Sequence, residues 1–260
     1  MELLIERCAG LDVHKASVTA TVRVPDPSGG RLQQTRSFRA TTAGLVLLGD
    51  WLASFGVTVV GMESTGVYWR PVYYLLEDDF QCWLLNAAHL RNVPGRKTDV
   101  ADSVWICQLV EHGLVRPSFV PPKPIRELRD LTRYRKALIQ ERTREAQRLQ
   151  KVLEAAGIKL GTVASDVLGV SGRAMLDGLV AGTHDPAVLA ELAKGRLRAK
   201  LPALREALEG RFRAHHALLL GELLAHLDYL DEAIDRLSNQ VARVVAPFSP
   251  LLGLLMTIPG

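Results

Sequence analysis

Three absences narrow the reading of this 260-residue chain. No stretch approaches the roughly 18 consecutive apolar residues that span a bilayer. The N-terminus, Met1-Glu2-Leu3-Leu4-Ile5-Glu6-Arg7, is too acidic and too short in apolar content to be a secretory signal. A cytoplasmic protein is therefore the default expectation. Cysteine is scarce: Cys8, Cys82 and Cys107 are odd in number and far apart, which excludes a disulfide framework or paired zinc ligands. Buried, reduced thiols are expected. The histidines lack metal-ligand spacing, and His215 and His216, being adjacent, face different directions on a helix. With 48% hydrophobic and 23% charged residues, the composition is globular and excludes a disordered chain.

Net charge is only +4, but it is unevenly placed. Residues 1–120 carry 11 basic and 12 acidic side chains, and residues 121–260 carry 21 and 16. Within the second half, residues 123–154 hold ten Lys/Arg against five Asp/Glu, so this one segment matches the whole excess of five. A basic helix suits a polyanionic partner, and a solvated helix face fits the same composition equally well.

What the first half does contain is carboxylates at telling places. Asp12 closes an apolar run in Gly10-Leu11-Asp12-Val13-His14-Lys15. Residues 17–24 alternate with period two and read as a strand, joined to the Asp12 segment as an antiparallel hairpin. A turn at 25–30 leads to a third strand at 31–40. A helix is expected at 42–55, a buried strand at 57–62, a helix at 67–78, a strand at 81–85 and a helix at 99–112 with Thr98 as N-cap. The resulting order, βββαβαβα, is α/β and ribonuclease H-like. In that topology the first and fourth strands are neighbours ending on one edge, which brings Asp12 close to Glu63 of Gly61-Met62-Glu63-Ser64-Thr65-Gly66. The last helix carries Asp99 and Asp102 to the same edge, three residues apart and so on one helical face. Singly, each carboxylate has a bland role, as a turn residue, a loop residue or a helix N-terminal charge. Together, Asp12, Glu63, Asp99 and Asp102 form a candidate catalytic and metal-binding tetrad. Mg²⁺, with Mn²⁺ able to substitute, is the hard cation such oxygens hold for phosphodiester chemistry, usually as two ions about 4 Å apart. Lys15 and the loop 64–66 are placed to meet phosphate oxygens, as is His14, for which a plain surface place in the turn is the commoner reading.

The second half reads as helical. Pro117, Pro121, Pro122 and Pro124 mark a linker, and from Ile125 the positions Leu128, Leu131, Tyr134 and Leu138 continue an apolar stripe through the basic segment. Arg133, Arg135, Lys136, Arg142, Arg144 and Arg148 are its candidate nucleic-acid contacts. Shorter helices are expected at 173–180 and 186–193. Leu220, Leu223, Leu227, Leu230, Ile234, Leu237, Val241 and Val244 then step by three and four, a heptad seam that predicts a coiled coil covered by the basic helix of the same or another subunit. The expected domains are 1–116, RuvC-like; 117–124, linker; 125–247, all-helical and coiled-coil-forming; and 248–260, the start of a further domain cut short at Thr257-Ile258-Pro259-Gly260.

With these motifs in order, the sequence resembles the DEDD-type insertion-sequence transposases, whose N-terminal domain is RuvC-like. The resemblance rests on the three acidic motifs, on Ser171-Gly172-Arg173-Ala174-Met175-Leu176-Asp177 and on the final Thr-Ile-Pro-Gly. It implies DNA transposition by a recombinase that binds DNA and a structured guide (bridge) RNA. It also implies a homo-oligomer, dimer or tetramer, joined through the coiled coil, and the acidic tetrad as Mg²⁺ ligands. A C-terminal domain would supply a nucleophilic serine, so this chain is expected to be incomplete for strand exchange, and no serine in it is assigned that role. Two other readings stay open: a free-standing RuvC-like Mg²⁺-dependent nuclease, and a non-catalytic RNA- or DNA-binding assembly protein.

Overall fold

The computed structural model describes residues 3–64, 66–92 and 102–258. The chain divides into two compact units, Met1–Val120 and Pro121–Gly260.

The first unit is built on five strands: β1 (Cys8–Val13), β2 (Ser17–Pro25), β3 (Arg31–Arg39), β4 (Val59–Glu63) and β5 (Gln81–Leu85). Their spatial order is β3-β2-β1-β4-β5. β1–β2 and β2–β3 pair antiparallel, whereas β1–β4 and β4–β5 are parallel. This is the ribonuclease H-like arrangement that the element order predicts. The helices are α1 (Thr42–Ser54), α2 (Trp69–Leu76), α3 (Ala87–Asn92) and α4 (Asp102–Glu111). α3 is an addition to the expected order. β4 also starts two residues later than the apolar run suggests, because residues 57 and 58 close the α1–β4 connection through bonds to Leu52 and Arg7.

Strand alternation assigns each side chain to a face. Ala9, Leu11 and Val13 of β1, Val18, Ala20 and Val22 of β2, and Val60 and Met62 of β4 pack with Leu45, Leu48 and Leu52 of α1 and Val72 and Leu76 of α2. The other face carries Cys8, Val59 and Leu85 against Ile106, Cys107, Leu109 and Val110 of α4. β1 is thus covered on both sides, which accounts for its nearly unbroken burial. The cysteines are free thiols, with Cys8 and Cys107 buried 3.7 Å apart and Cys82 half-buried. Burial pushes the Cys82 thiol up to about 12, so it is protonated.

The second unit is helical. α5 (Lys123–Ala155) begins with Pro124 in its first turn, where the missing N–H has no helical partner to lose. α6 (Leu160–Val163), α7 (Val170–Val180), α8 (Pro186–Glu191), α9 (Leu201–Leu208), α10 (Ala214–Val245) and α11 (Ser249–Leu255) follow, with a 3-10 segment at Gly195–Lys200. α5 and α10 run antiparallel, as the contacts Arg135–Ser238, Arg142–Asp231 and Glu145–His226 require. Leu149 and Leu153 of α5, Met175, Leu176 and Leu179 of α7, Leu204 and Leu208 of α9, and Leu220, Leu224 and Leu227 of α10 form one core. The heptad seam of α10 is therefore covered by α5 of the same chain from Leu220 to Leu237, the last part through Leu138 packed with Leu230, Ile234 and Leu237. Farther along, Val241 and Val244 are only half-buried. Tyr134, read as part of the inward stripe of α5, is exposed, and Arg135 takes the inward place. No helix among the described residues is long and apolar enough to cross a membrane.

Candidate active site

The site grows from two glycines. β1 and β4 pair so that Gly10 lies beside Gly61 and Leu11 beside Met62. Both glycines face α4. A Cβ on Gly10 would sit 2.3 Å from the Cys107 nitrogen and the Ser103 carbonyl oxygen, and one on Gly61 would sit 2.5 Å from a Val110 methyl. Only the paired absence of side chains lets the helix lie this close to the strands. Two residues on, along the same face of the same strands, stand Asp12 and Glu63. α4 starts at Asp102, so its first turn belongs to the same neighbourhood.

Asp12 lies in the field of both other carboxylates. Burial pushes the Asp12 carboxyl above the usual range, and Asp102 and Glu63 push in the same direction. His14 opposes them: its Nε2 donates to Asp12 Oδ2 at 3.1 Å. His14 and Asp12 are two residues apart, hence on one side of the chain as it leaves β1. Asp99 lies outside the described residues, as does Thr98. Among the described residues, no group of three or more His, Cys, Asp or Glu is gathered closely enough to hold a metal.

α4 is fastened along its whole length, and this fixes Asp102. Next to it, buried Ser103 shares a 2.9 Å hydrogen bond with Thr21 of β2, which continues to Thr35 of β3 at 2.8 Å. At the far end Glu111, fully buried, accepts from Arg23 Nε at 2.8 Å and is ion-paired with Arg31 Nη2 at 2.5 Å. Sequence reasoning gives no role to Gly10, Gly61, Ser103 or Glu111, and it offers His14 to phosphate where the structure sets it on Asp12. The repeated Gly-x-acid pattern at 10–12 and 61–63 was the available signal for the glycines.

The expected nucleic-acid contacts divide into two sets. Lys15 is exposed in the β1–β2 turn just beyond Asp12. Arg133, Lys136 and Arg144 are exposed on α5, and with Arg129 and Lys151 their spacing puts them on one face over roughly 33 Å. Arg135, Arg142 and Arg148 are instead engaged within the chain. Arg135 donates to Ser238 at 2.7 Å, Arg142 grips Asp231 with two nitrogens, and Arg148 pairs with Glu145. Neither Ser103 nor Ser171 is a free hydroxyl, since Ser171 Oγ accepts from the Lys194 backbone N–H at 2.9 Å.

The family model for IS110 DEDD transposases, described as "Transposase", matches residues 9–158. The chain belongs to this transposase family. The match includes both Gly-x-acid strands, Asp102 and all of α5. No curated protein matches the chain. Among solved structures, Thermus thermophilus RuvC is similar at 10% identity and a TM-score of 0.31, over 43% of this chain and 99% of that one. The fold assignment rests on the strand order and pairing described above.

Proposed function

We propose that this chain supplies the divalent-metal centre and nucleic-acid grip of a recombinase acting in DNA transposition, on DNA and a structured guide RNA. The observation that carries the reading is the Gly10–Gly61 register, which sets Asp12 and Glu63 on neighbouring strands under the first turn of α4. The charges of Asp102 and Glu63 bear on half-buried Asp12, a load that a hard dication relieves, and carboxylate oxygens are the donors Mg²⁺ or Mn²⁺ prefers. Asp12, Glu63, Asp102 and, by sequence, Asp99 would hold it. Bound there, the ion would neutralise phosphate charge and activate an attacking oxygen.

The chain's own groups do the positioning. His14 holds one oxygen of Asp12, the Ser103–Thr21 bond holds the turn bearing Asp102, and Lys15 offers a cation to phosphate at the open end of β1. Arg133, Lys136 and Arg144 contribute a phosphate-tracking face on α5. We assign residues 1–116 to the metal-bearing domain, 117–124 to a linker and 125–247 to nucleic-acid binding and assembly. The half-buried Val241 and Val244 at the end of the seam support self-association as a dimer or tetramer.

The test is Mn²⁺ binding by calorimetry on the full chain. Asp12→Asn and Glu63→Gln should each lower affinity at least about tenfold, the effect expected of removing one ligand or its close support. Unchanged Mn²⁺ affinity in both variants, with the fold intact by circular dichroism, overturns the metal centre.

A further inference from the structure

The Ser171-Gly172 motif has a structural role that the metal centre does not absorb. A Cβ on Gly172 would lie 2.2 Å from the Val167 carbonyl oxygen, so the start of α7 packs directly on the loop before it. Ser171 then ties that start to the segment 194–200 through the Lys194 N–H. Between the two lies a groove of about 640 Å³ within the helical unit. Lys194, Arg196, Lys200, Ser165 and Ser171 line it.

The segment Lys194-Gly195-Arg196-Leu197-Arg198-Ala199-Lys200 is the densest basic run in the chain, with four cations in seven residues and no acid. Two of the four are spoken for: Arg198 pairs with Glu191 at 3.1 Å and Lys200 donates to the Val163 carbonyl at 3.2 Å. Lys194 and Arg196, both exposed, make no ion pair with a described residue. The one carboxylate in the lining, Asp166, accepts the Leu168 N–H at 3.0 Å and also lies in the field of Arg142. Beside the cations, Val170 is 72% exposed and forms an apolar shelf with Leu197. Cations and hydroxyls next to an apolar ledge suit a nucleic-acid strand, with phosphates on the charges and a sugar or base face on the ledge. A purely acidic peptide would leave the ledge uncovered.

We infer that this groove is a second nucleic-acid contact, separate from the exposed face of α5, in which Lys194 and Arg196 bind the phosphates of a single strand. The inference rests on the nucleic-acid reading of the chain, and the test separates the two. Binding of a fluorescein-labelled 20-nucleotide single strand, as DNA and as RNA, is followed by anisotropy from 50 to 200 mM salt. Lys194→Glu/Arg196→Glu should weaken binding at least about tenfold at low salt and lower the salt slope by about 1.4, at roughly 0.7 per phosphate contact. Arg133→Glu/Lys136→Glu serves as the α5 reference. Should the α5 variant weaken binding while the groove variant keeps the wild-type affinity and slope, the groove proposal falls and the wider reading stands. If the wild type binds neither DNA nor RNA, both fall. Binding of fluorescein-labelled poly-glutamate that the groove variant abolishes, while its nucleic-acid binding is unchanged, overturns it in favour of a protein partner.

Discussion

The two units hold their working residues in opposite ways. In the sheet unit, position comes from backbone approach: α4 touches the strands at Gly10 and Gly61, and Asp12, Glu63 and Asp102 follow from that contact. In the helical unit, position comes from side chains that are partly wet. Arg142–Asp231 and Arg173–Asp228 bridge α10 to α5 and α7, with each partner about a third to a half exposed. Backbone contact leaves no room for adjustment, as a metal centre requires. Exposed ion pairs are individually weak and adaptable, which suits a surface that grips a polyanion. The difference teaches that rigidity is concentrated where chemistry is expected.

The contrast is broken first at Glu111. Removing this fully buried carboxylate takes the counter-charge from Arg23 and Arg31, which keep only neutral partners in Gln33 and two backbone carbonyls, and loss of one partner of a buried pair costs about 3 kcal/mol. Glu111→Ala should lower the urea midpoint of the sheet unit, while hydrogen exchange in α5–α10 stays unchanged. Equal loss of protection in both units would show that the division is not energetic. Gly10→Ala comes next. Its new methyl meets two backbone atoms at 2.3 Å, so α4 must shift, at a cost of about 2 kcal/mol by the usual scale of overpacking. Because the shift moves Asp102, Mn²⁺ affinity should fall by more than the stability loss explains. Normal Mn²⁺ affinity in folded Gly10→Ala would separate the glycine trough from the site.

How much of this was legible depended on range. The meander was readable because β2 alternates and the turn at 25–30 carries Gly29 and Gly30, both at positive φ. The neighbourhood of Asp12 and Glu63 followed from strand order alone. Gly10 and Gly61 were not readable as a trough, because their meaning depends on where a helix 40 to 100 residues away crosses. Glu111 misleads in sequence: an acid at a helix C-terminus is unfavourable to the dipole, and its compensation comes from two arginines on the sheet. The 194–200 run was hidden by averaging, since the surrounding helices balance its charge. The stripe reaches Tyr134 from Ile125 by three successive steps of three, whereas α5 turns at 3.6 and brings Arg135 to that place.

The smallest expected effect lies at Arg173, the motif residue whose role only the structure supplies. Its Nε donates to Asp177 at 2.9 Å, and its two terminal nitrogens reach Asp228 at 2.5 and 2.7 Å, joining α7 to α10. This holds the Asp228 carboxyl below its ordinary 3.8. A carboxylate whose folded value is depressed contributes stability that is complete above 3.8 and is lost as pH falls through the lower folded value. Both partners are partly exposed, so solvent screening limits the contribution to about 0.5–1 kcal/mol. Arg173→Ala should therefore lower the midpoint slightly at pH 7, and the gap from wild type should narrow below pH 4 and widen no further above it. A gap that persisted undiminished at pH 2.5 would mean that Arg173 acts through packing of its aliphatic stem and not through charge, and the side-chain half of the comparison would then fail at its best-formed pair.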